Sequence, residues 1–64
     1  MTNEAIFDEI FYDICGELNK SWYQLFDSND YDLVIKAIGE HFGVDNPHLV
    51  EGYDEWHNRM RGAL

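Results

Sequence analysis

Apolar residues recur every three to four positions in three stretches of this chain, and each stretch predicts an amphipathic helix. The first stripe is Phe7, Ile10, Phe11, Ile14, Leu18, Trp22 and Leu25. Asn3 is a good N-cap for it, with Glu4 in the first turn. The period persists across Gly16 to Ser21, which favours one long helix bent there. Ser21 followed by Gln24 also fits a capping box, so a new short helix starting at Ser21 is the alternative.

Asp27 to Asp30 (DSND) reads as a turn and cap cluster. Behind it, Tyr31, Val34, Ile35, Ile38 and Phe42 share one face of a second helix. Gly43 supplies its left-handed end, with Val44 folding back onto the last turn. The β-branched residues between Tyr31 and Ile38 would also suit a strand, but caps at both ends favour helix. Asn46 and Pro47 announce a third helix as its cap and first residue. Leu49, Tyr53, Trp56 and Met60 form its buried face, and Arg61 to Leu64 (RGAL) is a fraying tail. Three such segments with short links predict an all-α three-helix bundle, one domain over residues 1–64.

Size and composition make that bundle marginal. A chain of 64 residues buries only about 60% of its unfolded surface. A hydrophobic fraction of 45%, with 16% aromatic, is nevertheless too high for disorder. The single cysteine, Cys15, excludes an intrachain disulfide, the usual staple of small secreted domains. The first residues show no basic n-region, and no stretch approaches the roughly 20 apolar residues of a membrane span. A cytoplasmic location is expected.

Charge narrows the partners. Thirteen acidic residues against four basic ones give a net charge of −9. Such a surface repels nucleic acid and anionic membranes and steers the chain toward basic proteins. The acidic residues are also arranged. Glu4 and Asp8 lie on one flank of the first stripe, and Glu9, Asp13 and Glu17 on the other, four residues apart along each row. Like charges at that spacing repel by about 0.2–0.5 kcal/mol per pair. The helix dipole offsets this for Glu4 and Asp8 near the N-terminus. Asp13 and Glu17 lie farther along, with only Lys20 near. The other helices carry favourably oriented pairs instead, Asp32 with Lys36 and Glu55 with Arg59.

Tyr12 and Tyr23 point away from the apolar stripe, with Gly16 and Asn19 between them on a continuous helix. Tyrosine carries contact area at low entropic cost, so the pair reads either as ordinary surface or as part of an interface that meets arginine. His48 and His57 share the third helix with Glu51, Asp54 and Glu55, yet no motif fixes three ligands, and surface histidines are expected. Asp27 to Asp32 starts like a calcium loop, but the loop's sixth position is Asp32 and its twelfth Ile38, where glycine and glutamate are needed. Both serines, Ser21 and Ser28, stand in capping contexts, and no nucleophile or phosphate-loop motif is present. Neither an enzyme nor a cofactor is expected.

Carboxylates four apart on a helix rise by about 6 Å per step, a coarse match to charges along a nucleic-acid strand. The leading expectation is therefore a small inhibitor that occupies a basic, nucleic-acid-binding surface of a target protein. Phage anti-restriction and anti-CRISPR proteins share that size and charge as a class, without any matched motif. Glu9, Asp13 and Glu17 would stand in for phosphates, Glu4 and Asp8 would form a second row, and Tyr12 and Tyr23 would be adjacent contacts. The alternatives are a neutraliser of a basic toxin or nuclease, and a helical adaptor that forms a homodimer through Trp22, Phe26 and Trp56.

Overall fold

The first helix, α1 (Asn3–Leu18), is capped one residue earlier than expected: the Thr2 hydroxyl accepts from the Ala5 N–H at 3.3 Å. Asn3 is thereby inside the helix, and its amide donates to the Glu51 carbonyl at 2.9 Å. It ties the start of α1 to the turn before the last helix. The computed structural model describes residues 2–63.

At its far end α1 breaks rather than bends. Asn19 takes a left-handed conformation (φ 55°), which asparagine tolerates better than other residues with a Cβ. The Lys20 N–H then reaches back to the Cys15 carbonyl at 3.0 Å, and the Asn19 N–H to Gly16 at 3.2 Å. Those two bonds are a complete Schellman ending, here on asparagine instead of glycine. A five-residue helix, α2 (Trp22–Phe26), follows. Gln24 accepts from the Ser21 N–H at 3.0 Å, and the Ser21 hydroxyl faces the Gln24 N–H to complete the capping box, a contact too loose to count as a full hydrogen bond.

Helix α3 (Tyr31–Phe42) ends as its sequence implies. Gly43 is left-handed (φ 70°), and the Val44 N–H returns to the Gly39 carbonyl at 2.9 Å. The expected third helix is split. Asn46 and Pro47 open only a 3-10 turn (Pro47–Leu49), with the Asn46 side chain accepting from the His48 N–H at 3.0 Å. The chain extends at Val50 and swings through Gly52 (φ 87°) before α4 (Tyr53–Gly62) begins. Leu49, expected in the core, is 72% exposed: its helical spacing to Tyr53 means nothing once the helix is interrupted. Val50, 8% exposed, packs in its place. Arg61 and Gly62, expected to fray, belong to α4; Leu64 lies outside the described residues.

Helices α1, α3 and α4 form the bundle, and α2 bridges the link between α1 and α3. No strand occurs among the described residues, so Tyr31 to Ile38 is helix. Phe7, Phe11, Leu25, Val34, Ile38, Tyr53 and Trp56 are fully enclosed. Phe7 sits between Phe42, Tyr53 and Trp56 with ring centroids 5.5–5.6 Å apart, within the favoured range for aromatic pairs. The Tyr31 and Tyr53 hydroxyls meet at 2.9 Å, linking the first turns of α3 and α4.

Candidate protein-binding face on α1

The five carboxylates flanking the first stripe have different surroundings. Asp8 accepts a hydrogen bond from the Trp56 indole N–H at 2.8 Å, and Glu4 accepts one from Arg59 at 3.1 Å. Both therefore fasten α1 to α4. Arg59 was the expected partner of Glu55; it reaches across to Glu4 instead. Lys36 forms no ion pair with Asp32 within 4 Å.

Glu9, Asp13 and Glu17 are all exposed, and among the described residues no cation lies within 4 Å of any of them. The basic residue nearest to this row in sequence is Lys20, and it points elsewhere. The turn at Asn19 carries it toward the start of α3, where its ammonium contacts Asp30 at 2.6 Å. Each four-residue step also advances about 40° around a helix of 3.6 residues per turn. The row accordingly drifts toward α3: Asp13 and Glu17 border an open groove there, while Glu9 lies off its edge.

That groove has an apolar lining of Ile10, Ile14 and Leu18 from α1 and Leu33 and Ala37 from α3. Leu33 is 47% exposed. Nothing in the residue pattern announces it, because Leu33 and Ala37 stand off the α3 stripe and become neighbours of α1 only through packing.

Tyr12 and Tyr23 are half-exposed, each edge-on to the ring before it: Tyr12 against Phe11 at 5.4 Å and Tyr23 against Trp22 at 5.9 Å. The break at Asn19 places them on separate helices, so they do not share one helical face. Tyr12 stays on α1 beside the acidic row. Of the three residues of the expected homodimer surface, Trp56 is fully buried and so unavailable to a self-interface, while Trp22 and Phe26 are partly buried.

Two of the three histidines, His48 and His57, flank Tyr53. His48 contacts Asp54 at the surface. His57 is half-buried against Phe26, Tyr31 and Tyr53, with centroids 5.2–5.9 Å away. Among the described residues no three His, Cys, Asp or Glu side chains converge as metal ligands. Burial first, then the nearby positive charge of Arg61 and His48, holds the His57 pKa below its ordinary value, with Asp54 and Asn58 opposing. As pH falls, the unfolded chain takes up this proton before the folded one does. The His57 contribution is thus fully present above the unfolded pKa of about 6.5 and is lost as pH drops toward the folded value. The thermal midpoint should fall from about pH 7.5 to about pH 5.5 by more in the wild type than in His57→Gln. Equal slopes in a paired melt series would show that His57 does not titrate against the fold.

No protein-family model, curated protein or solved structure matches the chain. Among the described residues no helix is long and apolar enough to cross a membrane.

Proposed function

We propose that this chain is a small, non-catalytic inhibitor that binds a basic, nucleic-acid-binding surface of a target protein, in the manner of the phage anti-restriction and anti-CRISPR class, and acts in the cytoplasm. One observation carries the reading. The fold uses Glu4, Asp8, Asp30 and Asp54 for its own contacts, and of the carboxylates left without a cation Glu9, Asp13 and Glu17 stand in one exposed row at four-residue spacing along α1. Self-repulsion along that row does nothing for the fold, so an external basic surface accounts for it better than stability does. Tyr12 stands beside the row, where a guanidinium could stack on its ring.

Two expectations separate this role from a structural one. Replacing Glu9, Asp13 and Glu17 together with glutamine should leave the thermal midpoint unchanged or slightly raised, since two unfavourable pairs of about 0.2–0.5 kcal/mol each disappear. A markedly lower melting point would make the row structural. The same triple variant, used beside wild type as bait in a low-salt lysate, should lose a nucleic-acid-binding protein that wild type retains. That complex should dissociate as salt rises, because exposed charges are screened over about 8–10 Å near physiological strength, and DNA or RNA should compete with it. Capture of the same partner by both baits would place the interface away from the row.

A further inference from the structure

We propose that the groove between α1 and α3 is a docking site for one amphipathic helix of the target, with apolar residues toward the groove floor and lysine or arginine toward its acidic rim. The inference rests on the reading above and adds the element of the partner that is bound.

The bundle fills the space beside α1 and α3 on one side only. Tyr53 and Trp56 of α4 pack into the core with Phe7, Phe11, Val34 and Ile38. The groove is lined by α1 and α3 alone, with Ile10, Ile14 and Leu18 along one wall and Leu33 and Ala37 along the other. From Ile10 to Leu18 the wall runs about 12 Å, roughly two helical turns. Two adjacent helices present ridges that a third helix can cross, and a partner with apolar side chains at i, i+3 or i+4, and i+7 matches that length.

Charge decides which helix. Asp13 and Glu17 stand on the rim, and Glu9 continues the row beyond it. A second copy of this chain, at net charge −9, would bring its own carboxylates to the same rim. Like charge brought together at an interface disfavours the pairing, so the occupant is a basic helix and not another copy. Helices that carry lysine and arginine along one face are common where proteins grip nucleic acid. Such a helix engages the floor and the rim together, whereas a phosphate surrogate alone would use only the rim.

The test uses two synthetic peptides of about 14 residues with the same leucine, lysine and arginine content. In one the leucines fall on a single helical face; in the other they are scrambled around it. Binding is measured by fluorescence anisotropy and mapped by backbone amide shifts, on wild type, Leu33→Asn and the Glu9/Asp13/Glu17 glutamine variant. Thermal melts verify that each variant is folded. The expected result is at least about tenfold tighter binding of the amphipathic peptide, with shifts at Ile10, Ile14, Leu18, Leu33 and Ala37. Leu33→Asn should erase that preference while retaining weak, salt-sensitive binding of both peptides. Equal binding of the two peptides by wild type, lost in the glutamine variant, would overturn the groove while leaving the acidic-row reading intact. Amphipathic binding that survives the glutamine variant undiminished would overturn the basic occupant and that reading together. Concentration-dependent shifts at Leu33 without peptide would overturn it in favour of self-association.

Discussion

Trp56→Ala is expected to leave the chain largely unfolded near room temperature. The indole is fully enclosed, and its ring lies 5.5 Å from Phe7 and 5.8 Å from both Phe11 and Tyr53. Truncating a buried tryptophan costs about 3–5 kcal/mol. The indole N–H also donates to Asp8 at 2.8 Å, and removing one partner of a part-buried bond adds its own penalty. A chain of this length has about 3–10 kcal/mol in total, so the loss consumes most or all of it. Trp56→Phe keeps an aromatic ring and loses the donor, and should fold with a lower melting point. Circular dichroism with urea titration distinguishes these outcomes. A cooperative transition in Trp56→Ala within about 1 kcal/mol of wild type would mean that α4 does not hold α1 in place.

The same tryptophan shows what the sequence could and could not reveal. The seven fully enclosed side chains among the described residues all stand on the three apolar stripes: within each helix burial follows the helical period, and Leu25 keeps its place on α2 beyond the break at Asn19. Errors arose where continuity failed. Asn19 ends α1 with a geometry usually given to glycine, and the pattern carries no mark of it beyond the residue's known tolerance of left-handed backbone. Leu49 kept a helical interval to Tyr53 across a turn that is not helical. Both faults lie in backbone events shorter than the window needed to see periodicity.

The candidate binding face was legible to a different degree. That Glu9, Asp13, Glu17, Tyr12 and Tyr23 are exposed follows from their positions off the stripes. That Glu4 and Asp8 serve α4 does not, since Arg59 and Trp56 are 55 and 48 residues away and only the fold brings them near. Nor does the destination of Lys20, which the turn at Asn19 delivers to Asp30. In each case a cation or donor that the sequence leaves unassigned is committed by tertiary structure. The row on α1 is left without such a partner, as are several carboxylates scattered over the other elements, and the separation of structural from spare charge is a product of the fold.

Two glycine-to-alanine changes should act in opposite directions. An alanine inside a helix normally stabilises it relative to glycine by about 0.5–1 kcal/mol, because glycine loses more freedom on folding. Gly16 meets that condition: it is exposed in the last part of α1, and nothing lies within 4 Å of an added Cβ. Gly39 does not. After the left-handed Gly43 the chain folds back over the end of α3, and an added Cβ would lie 2.8 Å from the Val44 carbonyl oxygen. That oxygen is backbone, held by a turn whose Val44 N–H is bonded to Gly39 itself at 2.9 Å, so relief requires the turn to move. Overpacking of this kind costs about 1–3 kcal/mol, enough to outweigh the gain in helix propensity. Urea unfolding should therefore place Gly16→Ala above wild type and Gly39→Ala below it, with similar m-values in all three. If Gly39→Ala is as stable as Gly16→Ala, the turn after α3 yields freely and the return of Val44 over the helix is not what requires glycine there.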